Sequence, residues 1–473
     1  MRTSYYFQCS ILKPPKIKFI VLLIFLVYAP MTFSQNRIRP IDSLLTVIYN
    51  EGKLNGNVLI AEKGQIIYNR SFGLANKITK EKLNENSVFG LASVSKQFTA
   101  MAIVILKEQG KLNFDDKITK YLPELSAYDN ISVRNLLNHT SGLIPDINLL
   151  KDTKEVKEYL STKLIGNIAS NKDLVAFLSI YKPKLRFAPN TKWEYCNTGY
   201  MLLASIIEKV SGQTYPEYLQ KAIFRPLEMN NTYVYSPASV PKKNHAYDYI
   251  YSDDLKKYLP ADSIIDKNNV FAVLHGGGSI YSSVIDLLKW DRALYTDKLV
   301  SASSLKEIFE PAILNDKTKT AYGFGWLIQQ DPNYGKIAFH DGANRGYSTF
   351  IVRELDNDKT IIILENYSSG LFPIDVINRN LYNIPLPREI KLSQKQIREL
   401  EGSYGDLRIW SENEKLFGQV PGQKAVPLFA ENELSLFAKV YDLRLKFEKN
   451  NQGKITCLFI IKGGNKTMLE KRK

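Results

Sequence analysis

The chain of 473 residues is 44% hydrophobic, which is enough apolar material for a large core and for two or three domains. Its formal net charge of +15 comes from a generally lysine-rich composition without a dense Lys/Arg block, which argues against a nucleic-acid-binding module. With four histidines, three cysteines and no C-x-x-C or H-E-x-x-H pattern, the sequence gives no reason to expect a zinc site.

The first 34 residues have the pattern of a secretory signal peptide. Basic residues at positions 2, 13, 16 and 18 precede an apolar run at 19–29, and small residues stand at 32 and 34. The apolar run is short for a helix that spans a membrane. We therefore expect cleavage before Gln35, a periplasmic or secreted protein, and no stable membrane span after cleavage.

The predicted elements after this segment begin with strands, continue with helices and return to strands. Residues 57–73 predict a β-hairpin, and residues 113–310 are mostly helical in pattern. Strand patterns then return at 322–328, 336–340, 347–353 and 360–364. This order predicts an α/β sandwich whose sheet pairs N-terminal and C-terminal parts of the chain.

The sequence changes character after a linker at residues 385–394, which contains two prolines. Alternating apolar residues at 443–447 and 455–461 flank an Asn-Asn-Gln-Gly turn, which predicts a hairpin with Cys457 on its apolar face. We therefore expect a main domain at residues 35–384 and a separate small β domain at residues 395–473.

The segment 89–112 carries the first candidate site. Residues 100–106 are all apolar, which predicts a buried helix, and Gly110 predicts where that helix ends. Ser93 and Lys96 precede this run, three residues apart, a spacing that places two side chains on one helix face. Burial favours the neutral form of a lysine, and a neutral amine can take a proton from a neighbouring hydroxyl.

A serine before a helix is also an ordinary cap, and the S-x-x-K pattern is not rare. It recurs in this chain at Ser10/Lys13, Ser179/Lys182 and Ser303/Lys306. Spacing alone therefore leaves both interpretations of Ser93 open.

A serine–lysine nucleophile needs a proton relay and an oxyanion site, and two sets of residues could supply them. One set is Tyr195-Cys196-Asn197 with His340-Asp341-Gly342. The other is Tyr128-Asp129-Asn130 with His275-Gly276-Gly277, in the same order along the chain. Spacing alone does not choose between them.

Four ordered motifs together resemble the serine β-lactamase-like family, which contains class C β-lactamases, low-molecular-weight penicillin-binding proteins, D-Ala-D-Ala carboxypeptidases and related esterases. The motifs are Ser93-x-x-Lys96, LLNHTSGL at 136–143, YCNTGY at 195–200 and HDGANRGYS at 340–348. The resemblance covers roughly residues 40–380. It implies an antiparallel sheet sandwiched with helices plus an all-helical subdomain, and the tail resembles the lipocalin-like β domain often appended to such hydrolases.

The resemblance also implies the function. Ser93 would be the acylated nucleophile, Lys96 its partner base and Tyr195 the proton relay of an exported serine hydrolase that needs no metal or organic cofactor. The expected substrates are D-amino-acid peptides, including peptidoglycan-type peptides, or small esters. A true β-lactamase and a non-turnover penicillin-binding sensor stay open as alternatives.

The same resemblance implies the residues that hold the substrate. Asn197 would contact the substrate and Lys96, and His340 would take the place of the lysine or histidine of the third motif. The oxyanion N–H groups would come from Ser93 and from Ala343, which follows Gly342. Because an unperturbed histidine has a pKa of about 6.5, we expect His340 to be mostly neutral at pH 7 and to gain charge toward pH 6.

Three residues depart from or add to the family pattern. Cys196 stands where a serine is more usual, and Asp341 stands where small or neutral residues are common. Arg345 could meet a substrate carboxylate or serve as a plain surface residue. His139, within the LLNHTSGL motif, is expected to be structural.

Overall fold

The computed structural model describes residues 37–145, 170–235, 243–263, 274–367, 372–421, 425–439, 443–462 and 465–472. The predicted signal peptide at residues 1–34 lies outside these ranges. Within them, no helix combines the length and the apolar character needed to cross a membrane.

Six strands form the central antiparallel sheet of the main domain. In the order in which they lie side by side, they are β10 (Leu327–Asp331), β11 (Gly335–Asn344), β12 (Tyr347–Glu354), β13 (Lys359–Glu365), β1 (Gly56–Glu62) and β2 (Gln65–Phe72). β1 pairs with β13, with Val58 opposite Ile363. The N-terminal hairpin therefore extends a sheet made of C-terminal strands, which confirms the predicted pairing of the two ends.

The other elements of the main domain flank this sheet, and one further helix follows the linker. The helices are α1 (residues 37–50), α2 (Lys96–Glu108), α3 (Val133–Leu137), α4 (Asn171–Tyr181), α5 (Asn197–Ser211), α6 (Tyr215–Leu219), α7 (Val284–Ala293), α8 (Ala302–Ile308), α9 (Ile374–Tyr382) and α10 (Gln394–Leu400). The shorter strands are β3 (Leu74–Asn76), β4 (Glu81–Lys82), β5 (Phe89–Gly90), β6 (Tyr233–Val234), β7 (Tyr249–Ser252), β8 (Lys257–Pro260) and β9 (Ile280–Ser282).

Helices cover both faces of the central sheet. Along β1, Val58 and Ile60 belong to an apolar cluster with residues of α1 and α9, whereas Leu59 and Ala61 belong to a larger cluster with residues of α2 and α5. Successive strand side chains point to opposite faces, so both faces are buried. For this reason β12 and β13 are buried along their whole length instead of alternating with polar positions.

Helix α2 lies inside the larger cluster. Every residue from Lys96 to Leu106 is buried, as the continuous apolar run predicts. The helix ends before Gly110, whose φ of 69° lies in the left-handed region that favours glycine.

The strand expected at 322–328 begins only at Leu327, so most of that prediction is wrong. The chain before it crosses the first turn of α2 at Gly325, which has a φ of 79°. A Cβ added to Gly325 would lie 2.9 Å from the Cα of Gln97, so this crossing needs a glycine. The aromatic side chains of this stretch pack on other rings, Phe324 on Phe114 and Trp326 on Phe309.

The tail forms an eight-stranded antiparallel sheet in which each strand pairs with the next. Its strands are β14 (Gly402–Tyr404), β15 (Leu407–Glu412), β16 (Lys415–Gln419), β17 (Val426–Asn432), β18 (Ser435–Phe437), β19 (Arg444–Lys449), β20 (Ile455–Lys462) and β21 (Asn465–Glu470). A bridge between Tyr404 and Lys471 brings the first strand to the last, so the sheet nearly closes into a barrel. The tail also contacts the main domain, because Val426 and Ala438 join the cluster that contains α1 and α9.

The predicted hairpin of β19 and β20 is present, but Cys457 does not lie on its buried face. A bulge between Glu448 and Lys449 shifts the register, so Cys457 pairs with Glu448 and Leu458 pairs with the buried Phe447. A shift of one residue moves every following side chain to the other face. Cys457 is therefore half-buried and Leu458 fills the core.

A buried ion pair joins α7 to the central sheet. Arg353 of β12 donates from Nε to Asp291 Oδ1 at 2.6 Å, and both side chains are fully buried. Asp291 Oδ2 also accepts from Nε of Arg292 at 2.8 Å, and Arg292 in turn contacts Asp358. Removing one member of such a pair leaves a buried charge without its partner.

We expect Asp291→Ala to lower the free energy of unfolding by about 3–5 kcal/mol, because the Arg353 guanidinium would stay buried without its carboxylate. Urea denaturation measures the change. The double variant Asp291→Leu/Arg353→Met removes both charges and should recover a large part of the loss. A decrease below about 1 kcal/mol for Asp291→Ala would show that the pair does not hold the helix to the sheet.

Candidate active site

Ser93 lies in a tight turn that precedes α2. The 3-10 turn Ala92–Ser95 places Ser93 partly exposed between buried neighbours, and Ala92 has a φ of 47°. Two hydrogen bonds hold the turn: Thr349 Oγ1 donates to the Leu91 carbonyl at 2.8 Å, and the Ile280 N–H donates to Ser95 Oγ at 3.0 Å. No side chain caps the turn or the start of α2, so Ser93 is not a helix cap.

The Lys96 amine is buried beside the Ser93 hydroxyl. Its Nζ lies 3.1 Å from Ser93 Oγ and donates to the Gly277 carbonyl at 2.7 Å. Within the described ranges Lys96 forms no salt bridge, and burial lowers its pKa from 10.5 to about 7, against the opposing influence of Cys196 and Asp341. A large fraction of the amine is therefore neutral near pH 7 and able to accept the serine proton.

Tyr195 lies against both the lysine and the serine. Lys96 Nζ stands 4.9 Å from the centre of the Tyr195 ring. Burial raises the pKa of Tyr195, and a hydrogen bond with the Ser93 side chain partly opposes that effect. The hydroxyl of Tyr195 and the amine of Lys96 thus both contact the Ser93 hydroxyl.

Cys196 places Tyr195 by starting the next helix. It is the N-cap of α5, and its Sγ accepts from the Gly199 N–H at 3.4 Å. Burial raises the pKa of this thiol to about 12, so it stays protonated. The cysteine therefore caps α5 as a protonated thiol.

Asn197 is the first residue of α5 and faces the glycine that accepts from Lys96. Its N–H donates to the Pro145 carbonyl at 2.8 Å. A Cβ built on Gly277 would lie 3.9 Å from Asn197 Oδ1 and 3.8 Å from Lys96 Nζ. The amide of Asn197 and the amine of Lys96 thus approach the same backbone segment.

Strand β11 runs against the serine turn. His340 and Gly342 are buried, whereas Asp341 and Ala343 are exposed. A Cβ on Gly342 would lie 2.4 Å from the Leu91 carbonyl oxygen and 2.5 Å from Thr349 Oγ1, so only glycine permits this close approach. β10 pairs with β11 only as far as Phe339, which leaves the stretch from His340 onward without β10 beside it.

His340 is held by two hydrogen bonds within the protein. Its Nε2 lies 3.0 Å from the Tyr322 hydroxyl, and its Nδ1 lies 2.6 Å from the Asp341 carbonyl oxygen. Burial lowers its pKa to about 4, against the opposing influence of the Asp341 carboxylate. The expectation that His340 gains charge toward pH 6 is therefore wrong. It assumed the pKa of a solvated imidazole, whereas the folded chain buries this ring.

Of the competing motifs, the one at Tyr128 makes its hydrogen bond elsewhere, and the one at His275 contributes only a backbone carbonyl to the site. Tyr128 ends the 3-10 segment Pro123–Tyr128 and donates to the Pro183 carbonyl at 2.9 Å. The His275 ring stacks on Tyr215, while the carbonyl of Gly277 accepts from Lys96. The structure thus brings Ser93 and Lys96 together with the set that begins at Tyr195.

Several contributions were not found from the sequence. The Gly277 carbonyl holds Lys96, and the Tyr322 hydroxyl holds His340. The run of three glycines at 276–278 was a signal for close backbone approach, but nothing in the sequence singled out Tyr322. Arg345 pairs with Asp248, with 3.2 Å between Nε and Oδ2, at the tip of the β11–β12 hairpin.

The described ranges contain no group of three or more His, Cys, Asp or Glu side chains that could hold a metal ion. Comparison with known families then decides the assignment: the profile of the Beta-lactamase family matches residues 46–381. The chain belongs to the β-lactamase family. It is a serine hydrolase of that family, with the family's mixed α/β fold and an appended β domain.

Relatives and solved structures agree with this assignment. The chain is 34% identical over 437 residues to penicillin-binding protein 4* of Bacillus subtilis (strain 168), which covers 88% of this chain and 94% of that protein. An octameric penicillin-binding protein homologue from Pyrococcus abyssi has a TM-score of 0.66 at 24% identity and covers 92% of this chain and 98% of its own. A class C β-lactamase has a TM-score of 0.57 at 23% identity, over 72% and 94% of the two chains. These two structures show the shared fold.

The buried lysine predicts how this β-lactamase-family hydrolase responds to pH. Since burial lowers the pKa of Lys96 to about 7, the amine is protonated below that pH and neutral above it. We expect the rate of covalent labelling by a fluorophosphonate to rise about tenfold per pH unit up to about pH 7 and then to level off. His340, with a pKa of about 4, stays neutral between pH 5 and 9 and adds no second step.

Labelling rates measured between pH 5 and 9, corrected for hydrolysis of the reagent, give the midpoint. Lys96→Arg keeps a permanent charge and should label slowly at every pH. A rate that still rises through pH 9 would contradict the desolvation of the Lys96 amine.

Proposed function

We propose that the protein hydrolyses acyl substrates through an acyl-enzyme on Ser93. The observation that carries the proposal is the 3.1 Å contact between Ser93 Oγ and a fully buried Lys96 amine whose pKa lies at about 7. The neutral amine takes the proton of Ser93 as Oγ attacks the substrate carbonyl carbon. A tetrahedral oxyanion forms, and the C–O or C–N bond to the leaving group then breaks.

Tyr195 passes a proton to the leaving group in this scheme. Its hydroxyl contacts Ser93, its ring lies against the Lys96 amine, and burial raises its pKa, so it stays protonated and can relay a proton without losing one permanently. Water then attacks the ester on Ser93, and the same groups carry the protons in the opposite direction. The product acid leaves and Ser93 is restored.

The remaining site residues hold the substrate. The N–H groups of Ser93 and Ala343 stabilise the oxyanion, and Gly342 lets the strand that bears Ala343 approach the turn. The Asn197 amide binds a carbonyl of the substrate. His340, a residue of that strand, is neutral and offers the substrate no hydrogen bond, since both of its ring nitrogens are engaged within the protein.

We infer that the substrates are D-amino-acid peptides, as for a D-Ala-D-Ala carboxypeptidase, or small esters. The similarity to penicillin-binding protein 4* over nearly the whole chain supports a peptidoglycan-type peptide or a related acyl compound. Export through the segment at residues 1–34 would bring the enzyme to the periplasm or outside the cell, where such substrates occur.

Electrostatics argue against efficient use of β-lactams, which carry a carboxylate. His340 is neutral at physiological pH, and Arg345 is already paired with Asp248. Asp341 is exposed beside the site and opposes a second negative charge. These features weaken the pull on any substrate carboxylate, including the C-terminal carboxylate of a D-Ala-D-Ala peptide, so of the two proposed substrate classes they favour the small neutral esters.

We expect Ser93→Ala to abolish labelling by a fluorescent penicillin and by a fluorophosphonate, because the attacking oxygen is removed. Lys96→Ala should slow labelling by about 10²–10⁴-fold through loss of the base. Ser303→Ala is the matched control, since this exposed serine on α8 has the same S-x-x-K spacing. Label that persists on folded Ser93→Ala would refute the nucleophile.

The second test concerns the substrate class. We expect wild-type protein to turn over aryl esters or D-Ala-D-Ala peptides for many cycles and to hydrolyse a chromogenic cephalosporin slowly. Multiple-turnover kinetics on all three, with Ser93→Ala as the blank, measure this. A cephalosporin kcat/KM of about 10⁶ M⁻¹s⁻¹ or more would instead identify a β-lactamase. Stoichiometric labelling without turnover of any substrate would instead identify a penicillin-binding sensor.

A further inference from the structure

His139 follows α3 and lies behind Tyr195. The side chain is fully buried, and its backbone has a left-handed φ of 59°, a conformation that is uncommon outside glycine and in which asparagine, aspartate and histidine are enriched. The imidazole is packed among aromatic rings, with its centre 4.4 Å from the Tyr195 ring, 4.5 Å from the Tyr322 ring and 5.0 Å from the Tyr200 ring.

Two hydrogen bonds connect this one residue to both neighbours of Tyr195. The Glu194 N–H donates to the His139 carbonyl at 3.0 Å, and the Cys196 N–H donates to His139 Nδ1 at 3.0 Å. The first bond uses the backbone of His139, whereas the second depends on the imidazole. The peptide on each side of Tyr195 is therefore fixed by the same residue.

The imidazole is neutral and takes no part in proton transfer. Since Nδ1 accepts a hydrogen bond, the ring proton is on Nε2, which is buried and has no hydrogen-bond partner among the described residues. Burial lowers the pKa of His139 far below its usual range, and the nearby Lys96 and His340 lower it further.

We propose that His139 is a positioning residue for the reaction: by accepting from the Cys196 N–H and packing on the Tyr195 ring, it holds the Tyr195 hydroxyl at Ser93. This inference rests on the proposed role of Tyr195 as the proton relay. His139 does not touch the reacting atoms. A rotation of the 194–196 segment would move the tyrosine hydroxyl away from Ser93, and misplacement by about 1 Å is enough to slow a reaction strongly.

Two substitutions of His139 remove and restore the hydrogen-bond acceptor. His139→Leu fills a similar volume without an acceptor, and we expect kcat for an aryl ester to fall about 10–100-fold with KM changed less than about twofold. His139→Asn accepts the left-handed backbone and can place its Oδ1 near the position of Nδ1, so it should recover kcat to within about threefold. The midpoint of the pH profile near 7 should stay the same in both variants, because the neutral imidazole does not set the Lys96 pKa.

A double-mutant cycle with Tyr195→Phe decides whether His139 acts through Tyr195. In that background the tyrosine hydroxyl is already absent, so we expect His139→Leu to lower kcat by less than about threefold. Tyr128→Phe is the matched control, since this buried tyrosine also precedes an x-Asn pair and donates to a carbonyl elsewhere. In the Tyr128→Phe background, His139→Leu should retain its full 10–100-fold effect.

The possible outcomes separate the positioning role of His139 from the relay role of Tyr195. If His139→Leu lowers kcat by its full 10–100-fold in the Tyr195→Phe background, the positioning role is wrong. The same follows if the midpoint of the pH profile of His139→Leu moves away from about 7. If His139→Leu does not fold, His139→Asn and His139→Gln carry the same cycle, and Gln, whose longer side chain displaces the acceptor, should be the slower of the two. If Tyr195→Phe alone leaves kcat unchanged, the proposed relay fails, which is a separate result.

Discussion

The Lys96 amine is buried without a carboxylate partner among the described residues, and the rest of the site depends on that burial. An amine with a folded pKa of about 7 and an unfolded pKa near 10.5 lowers stability at pH 7 by on the order of 4 kcal/mol. Because the folded pKa is the lower of the two, this loss grows as the pH falls from about 10 to about 7 and changes little below that. The apolar length of α2 and the two clusters around the central sheet offset it. A solvated lysine in the same place would stay protonated and could not take the proton of Ser93.

The serine is placed by close contacts that need small residues and an unusual backbone. Ala92 adopts a left-handed conformation, Gly342 lies within contact of the Leu91 carbonyl, and Thr349 donates to that same carbonyl. Because β12 supplies Thr349 and β11 supplies Gly342, the sheet determines the position of the turn. The paired strand and the turn together form a rigid edge against which an acyl group can be held.

Much of this could be predicted from the sequence, because the main signals are local. Continuous apolar runs identified α2 and the fully buried strands, and the family motifs identified the cluster of Ser93, Lys96 and Tyr195, which the structure brings together. What could not be predicted depends on contacts between distant segments. The Gly277 carbonyl that holds Lys96 is 181 positions away along the chain, the partner of His340 lies in a loop without a motif, and the bulge that turns Cys457 outward follows from pairing with another strand. The charge of His340 was missed for the same reason, since burial is a property of the assembled fold.

The pairing of β1 with β13 has a consequence for how the chain is made. β1 ends at Glu62, whereas its partner begins at Lys359, so roughly 300 residues must be synthesised before the first strand finds its neighbour on that side. Until then β1 can pair only with β2, and a two-stranded hairpin is marginal by itself. A nascent chain of this design therefore stays incomplete for most of its synthesis, exposed to aggregation and open to chaperones. β11 and β12, which build the active-site edge, are also made late, so a chain that stops before Gly335 cannot assemble the catalytic site.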